Sequence, residues 1–211
     1  MDYYVFYKPY GVLSQFSDES GHAGLGQLNL DLAKDVYPVG RLDRDSEGLL
    51  LLSNDGALNG ALLDPKHAHE RTYWVQVEGD PSEQDLHAFE RPMLLKIKGR
   101  DHVTAPARAR LLPLDLEIMD REPPIRIRKS VPDRWIELII TEGKNRQVRK
   151  MTAHAGFPTL RLIRQAIGKL QLVDLNLQPG QLVRIGRDDL LDAVGLNPNF
   201  LRSQRTKKWD R

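Results

Sequence analysis

Apolar residues in this chain fall mostly in short runs or at alternate positions, the spacing of strands rather than helices. Asp2 to Lys8 is rich in aromatic and β-branched residues and predicts a strand, ended by the Pro9-Tyr10-Gly11 turn. Residues 14–34 are rich in Ser, Gly, Asp and Asn and predict a loop with room for one short helix. Val36 to Val39 reads as a short strand and Gly40 to Gly48 as a polar turn. Leu49 to Ser53 reads as a fully buried strand, and Ala57 to Leu63 as a helix that stops before Pro65. Thr72 to Glu78 alternates as a strand does. Ser82, with Asp85 three residues on, predicts a capped short helix. Met93 to Lys98, Ala107 to Ile118 and Trp135 to Thr141 predict further strands, with an extended proline- and arginine-bearing connector over residues 119–134. Asn145 to His154 predicts a helix closed by Gly156 and Pro158. Strands at Leu160 to Ile167 and Leu182 to Ile185 and a helix at Asp188 to Val194 complete the chain, and a frayed polar tail is expected from Asn197.

Strands outnumber helices and do not alternate with them. The expected class is therefore α+β with a mixed or antiparallel central sheet, not a doubly wound parallel one. With 40% hydrophobic and 28% charged residues, 211 residues suffice for a sizeable core. There is no cysteine, which excludes disulfides and thiolate metal sites. No run approaches the roughly 20 apolar residues of a membrane span, and no signal peptide is visible, so a cytoplasmic location is expected.

Net charge is only +2, but it is unevenly spread. Residues 121–170 hold twelve Arg or Lys against four Asp or Glu, and residues 202–211 hold five against one. Such asymmetry suggests a surface for a polyanion, usually nucleic acid; a solvated charged face is the plainer alternative. His67 and His69 are the only closely spaced histidines and make a weak metal candidate.

The most informative stretch is Gly40-Arg41-Leu42-Asp43-Arg44-Asp45-Ser46-Glu47-Gly48-Leu49-Leu50-Leu51-Leu52-Ser53-Asn54-Asp55-Gly56. A dense polar turn between two strands mounts side chains on the rim of a rigid sheet. Arg41 and Arg44 flank Asp43, and nearby cations hold a carboxylate ionised, the state in which it is a nucleophile. Taken alone, the segment is more readily read as a turn whose Asp and Ser side chains bond their own backbone.

The segment resembles the signature of the RsuA-type pseudouridine synthases. Three further segments resemble that family in the same order: Lys8-Pro9-Tyr10-Gly11, Arg71-Thr72-Tyr73 and Glu142-Gly143-Lys144-Asn145-Arg146-Gln147-Val148-Arg149-Lys150-Met151. The likeness runs from about residue 3 to residue 185. Residues 123–130 and 151–164 closely resemble the E branch of the family's 23S rRNA synthases. Lys8 already falls in the first motif, which leaves no room for the RNA-binding S4 domain that precedes many relatives.

This resemblance implies a pseudouridine synthase fold in two lobes with a catalytic cleft over residues 1–186, followed by a C-terminal helix and basic tail over 187–211. It implies isomerisation of a uridine in 23S ribosomal RNA, near the peptidyl-transferase centre, by a monomer acting on naked RNA or a large-subunit precursor. That reaction needs neither metal nor organic cofactor. By the same resemblance Asp43 is the nucleophile, Tyr73 stacks on the flipped uracil, and Arg149 pairs with the catalytic carboxylate. The family's lysine two residues before the tyrosine is Arg71 here. Arg44 is favoured to help expel the base and Arg41 to contact phosphate. Further RNA contacts are expected from Arg126, Arg128, Lys129 and Lys144, and from Arg146 and Lys150, which a helix over 145–154 would place on one face with Arg149. Two other readings stand beside it. One is a non-catalytic rRNA-binding assembly factor on the same fold. The other is a carboxylate glycosidase, which would need a second acid such as Asp45 or Glu47.

Overall fold

A computed structural model describes residues 1–125 and 131–197 of the chain. In chain order they form β1 (Tyr3–Lys8), β2 (Tyr37–Val39), β3 (Glu47–Ser53), α1 (Gly56–Leu63), β4 (Arg71–Glu78), α2 (Glu83–Leu86), β5 (Leu94–Ile97), β6 (Arg100–Val103), β7 (Arg108–Leu111), β8 (Asp133–Ile140), α3 (Gln147–His154), β9 (Thr159–Ile167), β10 (Leu170–Gln171), β11 (Leu182–Arg184) and α4 (Arg187–Ala193). Short 3-10 turns occupy Leu25–Leu28, Pro65–His67, His87–Glu90 and Val173–Leu175. The fold is α+β on a mixed central sheet, as the strand-rich pattern led us to expect. The chain makes two compact units, one of Met1–His69 with the segment from Arg164 onward, the other of Glu70–Ile163.

The first unit is organised around β3, every residue of which is buried. Its Leu49-Leu50-Leu51-Leu52 run reads as continuous because both faces are covered, the situation in which strand alternation disappears. β1 pairs antiparallel with it from Tyr3↔Ser53 to Lys8↔Gly48, and β11 borders β1. β2 covers the C-terminal half of β3, with Val39↔Leu51. Val5, Phe6, Leu25, Leu58, Leu190 and Leu191 complete this core, each contributing about 1.5–3 kcal/mol of burial. Asp55 caps α1 by accepting from Ala57 N and also takes the Tyr3 hydroxyl at 2.7 Å, fastening the helix to β1. The C-terminal helix α4 belongs to this unit: Lys169 N donates to Ala193 O, and Leu190 and Leu191 are buried.

The second unit centres on β4, which pairs antiparallel with β8 over its whole length, while β7 borders β8. One face of β4 buries Tyr73, Val75 and Val77, with Leu138 and Ile136 of β8 opposite Tyr73 and Val75, and Phe89 and Met151 of the same unit are buried too. The expected capping box at α2 is present, with Ser82 and Asp85 each bonding the other's backbone.

Several elements differ from the sequence reading. The strand expected over Ala107 to Ile118 ends at Leu111: Pro113 has no N–H to continue a ladder, and Leu114 is 87% exposed. β6 was not expected, because Arg100-Asp101-His102-Val103 lacks apolar alternation. It forms because Lys98 and Gly99 take positive φ (49° and 78°) and turn the chain into a hairpin with β5. β10, two residues long, gives too short a pattern to see. β3 starts at Glu47 rather than Leu49, because pairing with β1 reaches Gly48.

Candidate active site

Asp43 lies in the loop between β2 and β3, half-buried, with Arg41 and Arg44 exposed on either side. The loop is fastened at several points. The Ser14 hydroxyl donates to Leu42 O at 2.8 Å and accepts from Leu42 N at 3.0 Å, so both backbone groups of the residue before Asp43 are held by one side chain. Asp43 O accepts from Ser46 N, and Arg44 O accepts from Gly11 N at 2.9 Å. The Pro9-Tyr10-Gly11 turn therefore braces the Asp43 loop.

Beneath the loop sits Lys8, fully buried. Its ammonium donates to Pro9 O (3.0 Å), Arg44 O (3.4 Å) and Ser46 O (2.8 Å), one acceptor for each of its three N–H groups. Burial pushes its pKa down from 10.5 to about 7, against the raising influence of the Glu47, Asp45 and Asp43 carboxylates; Arg164 adds to the lowering. The loop carrying Asp43 thus rests on a buried cation that shares its charge with three nearby carboxylates.

Gly48 closes the same structure. Its φ is +103°, and a Cβ there would come within 2.4 Å of Arg164 O, a position open only to glycine. The Arg164 side chain, buried, donates from Nε to Leu49 O at 2.7 Å. The sequence reading did not give Lys8, Ser14 or Arg164 these positioning tasks. For Lys8 a signal was present: it is a cation at the end of an aromatic and apolar strand, a place where burial must be matched by partners.

In the second unit Tyr73 is buried on β4 opposite Leu138, and Arg71 lies two residues earlier on the same strand face. Arg149 is in the first turn of α3 and is part-buried. α3 begins at Gln147, two residues later than expected. Arg146 is the N-cap in a left-handed conformation (φ 53°), so it does not share a helical face with Arg149 and Lys150, and that part of the sequence reading is corrected. The helix start is held by Gln147 itself: its carboxamide accepts from Lys144 N at 2.9 Å and donates to Glu142 Oε1 at 2.6 Å. Glu142 also accepts from Ala105 N at 2.9 Å and meets His102 Nε2 at 3.0 Å. Lys144 and Arg146 are exposed beside this network, and the Lys150 ammonium donates to Lys96 O. Arg126, Arg128 and Lys129 and the basic tail lie outside the described residues. Asp43 thus belongs to one unit, Tyr73 and Arg149 to the other.

The strand-rich α+β scaffold that carries these groups is shared with known proteins. The family of RNA pseudouridylate synthases matches residues 2–154, and the chain belongs to it. It is therefore an isomerase that converts uridine to pseudouridine within RNA. Within the family the likeness is to synthases of large-subunit ribosomal RNA. The chain is 53% identical over 174 residues to the ribosomal large subunit pseudouridine synthase E of Xanthomonas campestris, covering 82% of this chain and 90% of that one. It is 49% identical over 177 residues to the protein of the same name from Vibrio parahaemolyticus, covering 84% and 71%. A solved pseudouridylate synthase superposes with a TM-score of 0.71 at 28% identity, over 92% of this chain and 73% of that one. Among the described residues no helix is long and apolar enough to cross a membrane.

Proposed function

We propose that this chain isomerises one uridine of 23S ribosomal RNA, in the neighbourhood of the peptidyl-transferase centre, with the Asp43 carboxylate as its nucleophile. The bond from N1 of uracil to the sugar C1′ breaks, the base turns, and a bond from C5 to C1′ forms. The C5 proton leaves and N1 gains one, so atoms and electrons balance without an oxidant, a metal or water as reactant. Asp43 acts at C1′ or assists loss of the base. Tyr73 supplies the ring on which the extruded uracil stacks, and base–aromatic stacking is worth about 1–3 kcal/mol. Arg149 is the cationic partner that keeps the carboxylate ionised where water is excluded. Arg44 helps expel the base, a step costing a few kcal/mol, and Arg41 contacts phosphate. Arg126, Arg128, Lys129, Lys144, Arg146 and Lys150 are proposed RNA contacts. The enzyme is proposed to work as a monomer in the cytoplasm, on naked RNA or on a large-subunit precursor.

The observation that supports this reading best is the bracing of the Asp43 loop. Ser14 fixes Leu42, and Gly11 and Lys8 fix Arg44 and Ser46, so the backbone is held on both sides of Asp43. A turn that only connects two strands has no use for a buried ammonium. Incubation with 23S rRNA, followed by carbodiimide treatment and reverse transcription, tests the reading. A single new stop is expected. Tight binding with no stop would favour an assembly factor, and free uracil would favour a glycosidase.

A further inference from the structure

The hairpin of β5 and β6 is a two-stranded sheet separate from the central one. Its register, Leu94↔Val103 and Lys96↔Asp101 alternating with Leu95↔His102 and Ile97↔Arg100, sorts its residues onto two faces. One face is turned into the second unit: Leu95 is buried, and His102 meets Glu142 at 3.0 Å. On the other, Leu94 is 61% exposed and Val103, directly opposite it, 62% exposed. Two facing aliphatic side chains left in water are a conspicuous cost on a ribbon this short.

The same hairpin is basic. Arg91, Lys96, Lys98 and Arg100 are all exposed, against Asp101 alone within residues 91–103. Among the described residues neither Lys98 nor Arg100, at the tip, makes an ion pair. Isolated two-stranded ribbons are marginal in water, yet this one is firmly mounted. Met93 N donates to the Thr104 hydroxyl and Thr104 N to Met93 O, both at 3.0 Å, across its base. Lys150, in the helix that carries Arg149, donates to the carbonyl of Lys96. Glu142 holds both His102 and Ala105 N, and through Gln147 it also holds the first turn of α3. A rigidly held, cation-tipped ribbon with an unpartnered aliphatic face has the chemistry of a surface that meets a sugar–phosphate backbone: cations for phosphates, aliphatic groups for the C–H faces of ribose.

We propose that the β5–β6 ribbon is a second RNA-gripping element, in which Lys98 and Arg100 contact phosphates flanking the target uridine and Leu94 and Val103 cover adjacent sugars. None of these four residues belongs to the motifs that identify the family. The proposal rests on RNA being the substrate but not on the identity of the modified uridine or on the chemistry at Asp43.

Filter retention of transcribed 23S rRNA between about 50 and about 200 mM salt tests it. Lys98→Glu/Arg100→Glu is expected to weaken binding at least tenfold at the lower salt and to flatten the log–log salt slope by about two contacts. Leu94→Ser/Val103→Thr is expected to weaken binding at every salt with the slope unchanged. Lys34→Glu/Lys169→Glu, equal in charge change but on the first unit, serves as control. Parental affinity and slope in Lys98→Glu/Arg100→Glu would overturn the proposal, and so would an equal loss in the control. Parental protein that binds RNA without forming pseudouridine would retire the catalytic reading while leaving the ribbon to be decided by the same curves. Parental protein that does not retain RNA at all would end both.

Discussion

A buried ammonium must be given acceptors, and Lys8 has three carbonyls, two of them from the loop that carries Asp43. The fold holds this cation despite burial that drives its pKa down to about 7 from 10.5. The linkage follows directly. Between about pH 7 and 10.5 the unfolded chain binds a proton at Lys8 that the folded chain has released, so this group makes stability rise with pH across that window and adds nothing further above it. In Lys8→Met, urea unfolding at several pH values should lose that rise. Neutral-pH stability should also fall, since the carbonyls of Pro9, Arg44 and Ser46 lose their buried donor. A variant with the parental pH profile would show that Lys8 does not titrate as its burial requires. Tyr73 makes a second case at this scale. If it stacks on uracil, Tyr73→Phe keeps the ring and should retain most RNA affinity, whereas Tyr73→Ala should lose about 1–3 kcal/mol of it. Equal affinities of the two variants, measured by RNA retention, would leave Tyr73 a core residue only.

At the scale of elements, the junction at the start of β3 is the closest backbone approach at any glycine among the described residues. Gly48 has φ +103°, and its missing Cβ leaves room for Arg164 O. Gly48→Ala should therefore cost on the order of 3 kcal/mol from backbone strain and the clash together. Thermal unfolding with a midpoint unchanged from the parent would mean that β9 can move away. The strands themselves were readable in advance where one physical signal dominated: the continuous Leu49–Leu52 run for a doubly covered strand, the alternation of Thr72 to Glu78 for a half-covered one, Ser82 with Asp85 for a capped helix. What was not readable depends on partners distant in sequence. Arg100 to Val103 becomes a strand only because Lys98-Gly99 folds it back on β5. The start of α3 moves from Asn145 to Gln147 because Gln147 bonds Glu142 and Lys144 N, which leaves Arg146 outside the helix.

For the whole molecule, the candidate residues were legible through their motifs, since Asp43, Tyr73 and Arg149 each stand in a segment that matches the family. The scaffold beneath them was not. Nothing local in Lys8-Pro9 states that its lysine will lie under a loop some 36 residues further on, yet it is that bond to Arg44 O, with its partner to Ser46 O, that supports the Asp43 turn. The division of the chain into two units places the carboxylate loop in one and the aromatic and guanidinium groups in the other. The uneven charge along the sequence has a counterpart in the exposed cations at Lys144 and Arg146, in the second unit.

The central claim is that the ionised oxygen of Asp43 drives the isomerisation, and its most direct test is Asp43→Asn, which keeps the shape and removes the charge. With 23S rRNA carrying tritium at uracil C5, pseudouridine formation releases the label to water. Asp43→Asn is expected to bind the RNA within about threefold of the parent and to release no tritium above background. Release at the parental rate would contradict the account.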